Sequence, residues 1–229
     1  PHGPVFADAI GITLHPHLRG SLANFGAPEV SLGFETDGLL IRNIIKKAER
    51  LGINLVRLTD DLAKQYRFSL TLDHGALIPL YYLHKAGFKG QIVHITIGML
   101  PYEEMYTFGK ALQAAIAAGD RKVAVIASGD LSHRLIPGAP AGYSPAGAEF
   151  DRQIVAALKE VNIKAILNMD QDLVEAAGEC GLRPICILMG VLGGLQTTAE
   201  VLSYEGPFGV GYAVAAFTVN SALANKTDR

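Results

Sequence analysis

Four polar residues stand in glycine- or proline-rich contexts where a side chain could do chemistry: His2, His74, His133 and Glu205. Each is expected where a strand meets a loop or where a helix begins, which is where α/β folds place ligand-binding groups. Imidazole nitrogens and a carboxylate are common metal ligands, and a histidine also serves as a general acid or base near neutral pH. Three histidines and one carboxylate therefore suffice for one metal ion and one acid–base group.

Each of these residue types also has an ordinary structural interpretation. A histidine beside Gly and Pro is commonly a loop residue, and a glutamate before a Gly-Pro turn is commonly exposed to solvent. His15 and His17 share one face of an extended segment, but the neighbouring Pro16 and Arg19 indicate a solvated edge. Cys180, in the step Glu-Cys-Gly, either brings a thiol to the site or packs as a small buried hydrophobe.

Common catalytic and nucleotide-binding motifs are absent from the sequence. It contains no Walker A motif, no Gly-x-Gly-x-x-Gly after a predicted strand, no Gly-x-Ser-x-Gly and no Cys-x-x-Cys. The glycines of residues 190–194 lie in an apolar helical run, so they indicate close packing. The usual nucleotide-binding, serine-hydrolase and zinc-ribbon classes are thereby excluded.

The hydrophobic periodicity alternates between strands and helices along the chain. Strands are predicted at residues 8–14 and 91–99, and helices at residues 37–50 and 101–118. The almost unbroken apolar run at residues 122–127 is typical of a central strand buried on both faces. We predict a single α/β domain with a mixed, mostly parallel central sheet and helices on both faces.

The two ends of the chain carry separate expectations. Two final strands, at residues 200–204 and 211–219, are predicted to pair across a Gly-Pro-Phe-Gly turn. The domain is expected to cover residues 1–219, and residues 220–229 to form a polar tail or linker stub. Because the sequence opens with Pro-His-Gly-Pro and without a Met, we expect a natural N-terminal segment to be missing.

Composition restricts the partners. The 229 residues carry 20 Lys and Arg against 22 Asp and Glu, a net charge of −2, which predicts neither a nucleic-acid nor a membrane partner. With 49% hydrophobic and 18% charged residues, the chain is predicted to be ordered, and its apolar stretches are too interrupted to span a bilayer. Only two cysteines occur, which excludes a disulfide-rich secreted scaffold and favours reduced thiols in a cytoplasmic protein.

The segments that carry the four residues resemble the class III extradiol ring-cleavage dioxygenase family, the superfamily of the protocatechuate 4,5-dioxygenase catalytic subunit. The sequence is similar in particular to the dioxygenase-like domain of the AmmeMemoRadiSam system, which is related to the Memo proteins. The stretches Ser-Gly-Asp-Leu-Ser-His and Ser-Tyr-Glu-Gly-Pro are fairly specific, and their order along the chain carries the resemblance. The matching segments are residues 1–10, 72–80, 123–134, 178–182 and 202–212.

The resemblance implies a role for each residue. His2 matches a histidine ligand and Glu205 the carboxylate ligand of a non-haem Fe(II) site. His133 matches the acid–base histidine, and His74 a further active-site histidine that contacts substrate or bound oxygen. The first ligand histidine is expected upstream of this sequence, in the missing segment. Zinc or another divalent metal is the alternative occupant of the site.

The implied activity is Fe(II)-dependent extradiol cleavage of a catechol-like aromatic by O2. Two imidazoles and a carboxylate on one face of the ion leave the opposite face open to both reactants. His133 would remove a proton from the second catechol hydroxyl and return it later, while His74 would hydrogen-bond negative charge on oxygen. The small aromatic substrate and O2 are the expected partners. A homodimer, and a C-terminal AMMECR-type domain in the full-length chain, are compatible with the resemblance.

Two alternatives remain open at this point. One is a Memo-like metal-binding or interaction protein that keeps the fold without ring cleavage, because a fold does not fix a function. The other is a metal-assisted hydrolase, which would bind zinc rather than iron. For the enzyme, we expect His2, His74, His133 and Glu205 to converge in one cleft at the carboxyl edge of the sheet.

Overall fold

Seven strands and eight α-helices follow one another along residues 3–220, the residues that the computed structural model describes. The strands are β1 (Ile10–Thr13), β2 (His17–Leu22), β3 (Ala27–Glu35), β4 (Leu55–Leu58), β5 (Ile95–Thr96), β6 (Thr197–Glu205) and β7 (Tyr212–Val219). The helices are α1 (Gly38–Arg50), α2 (Asp60–Tyr66), α3 (His74–Lys85), α4 (Tyr102–Ala117), α5 (Pro145–Lys159), α6 (Ile163–Leu167), α7 (Gln171–Ala177) and α8 (Leu182–Leu192).

Strand β1 is the centre of a three-stranded sheet with the order β4-β1-β5. It pairs in parallel with β4, Ile10 opposite Leu55, and antiparallel with β5, Ile12 opposite Ile95. The α/β class with a mixed sheet is confirmed. Among the described strands, parallel pairing is confined to β1 with β4 and to two isolated bridges, so the sheet is mixed rather than mostly parallel.

The remaining strands form two antiparallel pairs, β2 with β3 and β6 with β7. The predicted pairing of the final strands is confirmed, with Thr197 opposite Val219 at one end and Glu205 opposite Tyr212 at the other. The turn that joins them brings the end of β6 and the start of β7 together. We call residues 206–211 the hairpin turn.

Residues 122–127 do not form the predicted central strand. The run joins no strand ladder, and Val123 and Ile126 are 38% and 47% exposed. An apolar run indicates burial but does not choose a pairing partner. Here β1 already has β4 on one side and β5 on the other, while β6 pairs with β7. The run therefore leads without pairing into a loop of residues 128–143, which we call the central loop.

The helix starts agree with the capping residues in the sequence. The side chain of Asp37 accepts the N–H groups of Leu39 and Leu40 at the start of α1. Asp73 and Ser144 cap α3 and α5 in the same way, through their side-chain oxygens. Such caps satisfy backbone donors that have no partner within the helix, which is why a polar residue marks the boundary.

Helices α4 and α8 cross with their backbones in contact at Gly109 and Gly190. A Cβ on Gly190 would lie 2.0 Å from the Tyr106 carbonyl oxygen, and one on Gly109 would lie 2.1 Å from the Ile187 carbonyl oxygen. Neither position tolerates a side chain without separation of the helices. The Lys110 ammonium of α4 also donates to the Gly193 carbonyl beyond the end of α8 (2.8 Å), where helix carbonyls lack internal partners.

The main hydrophobic core joins β1 to α1, α4, α5 and α8, and a smaller cluster lies between the β2–β3 pair and α3. No helix within residues 3–220 has both the length and the apolar character needed to cross a membrane. The expected domain limits, with a polar tail at residues 220–229, stay a prediction because residues 221–229 lie outside the described part of the chain.

We expect Gly190→Ala to lower the free energy of unfolding by about 1–3 kcal/mol, because the new methyl group forces α4 and α8 apart. In a helix with free space at that position, Gly→Ala raises the free energy of unfolding by up to about 1 kcal/mol. A decrease is therefore evidence for the contact between the helices. Urea unfolding of the variant measures the change. Gly119→Ala is the matched control, since its Cβ meets nothing closer than 3.6 Å. Equal stability of the two variants would contradict the assigned helix contact.

Candidate functional site

Backbone hydrogen bonds fasten the central loop to the hairpin turn. The N–H of Leu131 donates to the Gly211 carbonyl (2.9 Å), and the N–H of Gly211 donates to the Ser132 carbonyl (2.8 Å). Further along the loop, the N–H of Leu135 donates to the Gly209 carbonyl (3.0 Å). These bonds hold a loop without regular structure in one conformation and place it beside the end of β6.

A buried carboxylate, that of Asp151 on α5, ties the same two segments together. One of its oxygens accepts the N–H of Ser132 (2.8 Å) and the other accepts the hydroxyl of Tyr204 (2.7 Å). Asp151 is 1% exposed. Burial raises the pKa of its carboxyl group, while the two hydrogen bonds act in the opposite direction. The central loop and β6 thus share one anchor on α5.

The ring of His133 is oriented from both sides. Its Nδ1 lies 2.5 Å from the Gly178 carbonyl oxygen, and its Nε2 lies 3.3 Å from an oxygen of Asp130. Because a carbonyl can only accept, Nδ1 carries a proton in this arrangement. Nε2 then faces a carboxylate and is available either to bear a second proton or to bind a cation. The side chain is 23% exposed, so solvent and small ligands reach it.

Cys180 lies against the same loop. The N–H of Asp130 donates to the Cys180 sulfur, and the N–H of Cys180 donates to the Asp130 carbonyl, both at 3.2 Å. The approach is close because a Cβ on Gly129 would lie 2.7 Å from the Cα of Gly181. Within residues 3–220, Asp130, His133 and Cys180 form a group whose ligand atoms lie within 4.8 Å of one another and could hold a metal ion.

Cys180 and Cys186 are both free. Burial raises the pKa of the Cys180 thiol, although the hydrogen bond from the Asp130 N–H favours the thiolate. Burial also raises the pKa of Cys186, to about 12. Cys186 is fully buried, whereas Cys180 is only partly buried. Of the two, Cys180 is therefore the thiol that can meet a ligand.

Glu179 is a further ionisable group at this position. Burial raises the pKa of its carboxyl group, while the N–H of Leu182 at 2.6 Å and the charges of Arg183 and His133 favour the ionised form. Glu179 thus accepts a backbone N–H at the start of α8, near His133. Sequence analysis did not assign it a role, although it stands in one of the segments that carry the family resemblance.

His74 is the first residue of α3, directly after the capping residue Asp73. Its ring lies against the ring of Phe25, with centroids 4.9 Å apart. The hydroxyl of Ser128, at the start of the central loop, donates to the carbonyl of the neighbouring Gly75 (2.6 Å). The first turn of α3 therefore contacts the loop that carries His133.

His2 lies outside the described residues, but its neighbour Gly3 is described. The N–H of Gly3 donates to the side chain of Asp73 at 3.0 Å. A Cβ on Gly3 would lie 2.7 Å from the Cγ2 atom of Thr96 in β5. The start of the described chain is thereby held between the first turn of α3 and the central sheet.

Glu205 is the last residue of β6 and is exposed. It pairs across the hairpin with Tyr212. Burial raises the pKa of the Tyr212 hydroxyl, and the charges of Asp130 and Cys180 raise it further. Gly211, the residue before Tyr212, forms backbone hydrogen bonds with Leu131 and Ser132 of the central loop. The strand position opposite Glu205 therefore adjoins the group around His133.

The structure thus connects the neighbours of all four candidates by direct contacts. Gly3 contacts the start of α3, α3 contacts the central loop, and the central loop contacts the hairpin turn that follows Glu205. These contacts are consistent with one cleft. The convergence of the side chains of His2, His74, His133 and Glu205 themselves stays a prediction.

An open groove of about 640 Å³ lies elsewhere, along α1 and β4. Its lining includes Arg42, Lys46 and Arg57, and it shares no residue with the group around His133. Its charged side chains are typical of a solvated surface, so we assign it no role.

Comparison with known proteins adds independent information. Residues 1–215 match the family model described as the catalytic LigB subunit of aromatic ring-opening dioxygenase. The whole chain is 40% identical to Protein CA_C1420 of Clostridium acetobutylicum and spans 48% of that protein, about half its length. It is also 28% identical over 198 residues to a 3,4-dihydroxyphenylacetate 2,3-dioxygenase of Escherichia coli, covering 81% of this chain and 69% of that protein.

The fold is also found in solved structures. The crystal structure of an uncharacterized protein, JW3007 from Escherichia coli K12, matches with a TM-score of 0.65 over 93% of this chain and 81% of that chain. The sequence identity of that match is 16%, so it bears on the fold alone.

We expect Asp151→Ala to lower the free energy of unfolding by about 2–4 kcal/mol, because it leaves the buried N–H of Ser132 without an acceptor. Tyr204→Phe removes only the second hydrogen bond and should cost about 1 kcal/mol. Urea unfolding measures both values. Similar, small losses in the two variants would contradict the anchoring role of Asp151.

A second expectation concerns pH and the Asp151→Asn variant. Because burial raises the pKa of Asp151, the folded protein binds this proton more tightly than the unfolded chain. The contribution of Asp151 to stability therefore falls as pH rises from the ordinary carboxyl pKa through the raised value. Asparagine does not titrate, so the stability of Asp151→Asn relative to the unmodified protein should increase across that interval. Urea unfolding at a series of pH values tests this, and a change of opposite sign would refute it.

Proposed function

The chain belongs to the family of the catalytic LigB subunit of aromatic ring-opening dioxygenases, and from that premise we propose a non-haem Fe(II)-dependent extradiol-type dioxygenase that acts on a catechol-like aromatic. The 3,4-dihydroxyphenylacetate 2,3-dioxygenase to which the chain is similar supports a catechol as the substrate class. The observation that carries the proposal is His133, an oriented and accessible imidazole on a loop fixed at several points.

His133 is proposed as the acid–base residue. The Gly178 carbonyl fixes the ring through Nδ1, so the exchangeable position is Nε2. Asp130 at 3.3 Å stabilises a proton held on that nitrogen, which lets the ring accept a proton from a substrate hydroxyl and hold it as an imidazolium. The same proton can later be returned to product oxygen. His74, at the first turn of α3, is proposed to hydrogen-bond negative charge on oxygen.

His2 and Glu205 are proposed as metal ligands, together with a histidine from a segment upstream of this sequence. Two imidazoles and one carboxylate suit ferrous iron by donor type. The exposed position of Glu205 leaves its carboxylate accessible for coordination. When bound, ferrous iron supplies a centre at which catechol oxygens and O2 exchange electrons. Zinc or another divalent metal stays the alternative occupant.

The other expected properties also stay proposals. They comprise a cytoplasmic location, a homodimer, and an AMMECR-type domain C-terminal to this one in the full-length protein. The chain spans about half of Protein CA_C1420, a length difference that is compatible with a further domain. The substrate and O2 are the proposed partners, and neither nucleic acid nor membrane is proposed as one.

The alternative proposal is a Memo-like metal-binding or interaction protein without ring cleavage. The group of Asp130, His133 and Cys180 favours it, because a metal ion held there would occupy the imidazole that ring cleavage needs. Elemental analysis of the purified protein distinguishes the two: iron with turnover supports the enzyme, whereas zinc without turnover supports the alternative or a metal-assisted hydrolase.

The direct test uses the natural full-length protein, reconstituted anaerobically with Fe(II) and then mixed with O2 and a panel of catechols that includes 3,4-dihydroxyphenylacetate. Oxygen uptake together with the absorbance of ring-fission products is the expected result. A protein that binds iron and consumes no oxygen with any catechol would refute the proposed activity.

We expect His133→Ala and Glu205→Ala to fail in different ways. His133→Ala should keep its iron while kcat falls by a factor on the order of 10²–10⁴, since only proton transfer is lost. Glu205→Ala should lose iron and activity together, because one ligand of the metal is removed. Iron content and steady-state kinetics are measured on the same samples.

The matched control is His17→Ala, since His17 is exposed and its Nδ1 contacts Glu35 on the adjacent strand at 2.7 Å. It should change neither iron content nor kcat. Loss of iron in His133→Ala would make His133 a ligand, and unchanged turnover would remove it from the mechanism.

A further inference from the structure

Asp130, His133 and Cys180 supply three different metal-binding atoms from two segments of the chain. A carboxylate oxygen, an imidazole nitrogen and a sulfur lie within 4.8 Å of one another, and all three residues are partly exposed. None of them is among the proposed iron ligands. The group is therefore a second candidate metal site.

The contacts around His133 leave a position that a cation would fill. Nδ1 donates to the Gly178 carbonyl, so the lone pair of a neutral ring is on Nε2. That nitrogen faces an Asp130 oxygen at 3.3 Å. Two electron-rich atoms at this distance repel unless a proton or a metal cation is shared between them. A histidine whose other nitrogen donates to a backbone carbonyl is also the usual arrangement of a metal-bound imidazole.

We propose that Asp130, His133 and Cys180 bind a thiophilic divalent cation, zinc in the cell, and that this cation inhibits the enzyme by occupying Nε2 of His133. The inhibition rests on the proposed function, whereas the binding site does not. Three protein ligands and one water would complete a tetrahedral zinc site.

The distances suit zinc. Zinc lies about 2.0–2.1 Å from nitrogen and oxygen ligands and about 2.3 Å from sulfur, so tetrahedral ligand atoms lie roughly 3.3–3.7 Å from one another. The Nε2 to Oδ2 distance of 3.3 Å already meets this. The sulfur needs to move by no more than about 1–1.5 Å, a side-chain adjustment.

The two segments are held in register before any ion binds. The N–H of Cys180 donates to the Asp130 carbonyl, and the N–H of Asp130 donates to the Cys180 sulfur. Ser132 adds a third bond, from its hydroxyl to the Ala177 carbonyl (2.9 Å). Because the backbone is fixed, binding orders only three short side chains. Asp130 is 39% exposed, which provides an entry for the ion.

The ligand set selects zinc over iron. A thiolate is a soft ligand that favours zinc and cadmium, whereas the proposed iron ligands are imidazoles and a carboxylate. On binding, the Cys180 thiol releases its proton to solvent and no electron is transferred. Nε2 of His133 donates its lone pair to the metal and can then no longer accept a proton from substrate.

The binding test titrates Cd²⁺ into the full-length protein and follows the ultraviolet cadmium–thiolate charge-transfer absorption. We expect saturation at one equivalent in the unmodified protein, and the same in Cys186→Ser, the matched control. Cys180→Ser should lose the band, and Asp130→Asn should weaken binding by at least about tenfold. Circular dichroism checks that each variant is folded.

Zn²⁺ is then measured by competition with a chromophoric chelator, in the same variants. A band that persists in Cys180→Ser, a band that depends on Cys186, or an unchanged affinity in Asp130→Asn would each overturn the site. Should Cys180→Ser not fold, two other measurements decide. They are the zinc affinity of Asp130→Asn and the change in NMR chemical shift of the His133 ring nitrogens on adding Zn²⁺. An unchanged chemical shift overturns the site.

The inhibition test adds Zn²⁺ to the iron-loaded enzyme during catechol turnover. We expect zinc to halve the activity of the unmodified protein at the free zinc concentration that the competition experiment gives for half-saturation. Cys180→Ser should need at least about tenfold more zinc to lose half of its own uninhibited activity. Equal zinc sensitivity of the two would overturn the inhibition. Failure to find any ring cleavage would end the proposed function and the inhibition with it, while the cadmium titration would still decide the site.

Discussion

The carboxylate of Asp151 is the interaction on which the arrangement of the site depends. It is buried on α5 and accepts hydrogen bonds from the central loop and from β6, through Ser132 and Tyr204. His133 follows Ser132 directly, and Glu205 follows Tyr204 directly. One anchor therefore sets the backbone next to both a proposed acid–base residue and a proposed metal ligand. Burying a carboxylate costs free energy, which its hydrogen bonds partly offset. The same hydrogen bonds fix two segments that are distant in sequence relative to each other.

The sequence was sufficient where structure depends on neighbours along the chain. The start of α1 followed from Asp37, and the β6–β7 pair followed from two apolar runs around a Gly-Pro turn. It was insufficient at residues 122–127, because an apolar run is compatible with any sheet that offers an edge. Partner choice among strands is a long-range property, and here it left this run unpaired.

The candidate site shows the same difference between features set by neighbours along the chain and features set by long-range contacts. His133 and Glu205 could be selected because short motifs surround them, but the group around Nε2 of His133 could not. Cys180 is 50 residues from Asp130, so their contact needs the folded chain. A signal for Asp151 was present: it falls on the apolar stripe of α5 with Ile154, where a charged residue must have buried partners. The stripe does not identify those partners, which are Ser132 and Tyr204.

The backbone contact between Gly109 and Gly190 has a mechanical consequence. Helix α8 can neither slide nor turn against α4 without a clash, and α8 begins directly after the segment that carries Cys180. The position of the segment that carries Cys180 is therefore fixed by the contact between α4 and α8. The β6–β7 hairpin also contacts the central loop, and its turn includes Phe208, which is 83% exposed and has a φ of 58°. A shift of α8 along α4 is therefore not available to the segment that carries Cys180, whose position is set by the helix crossing behind it.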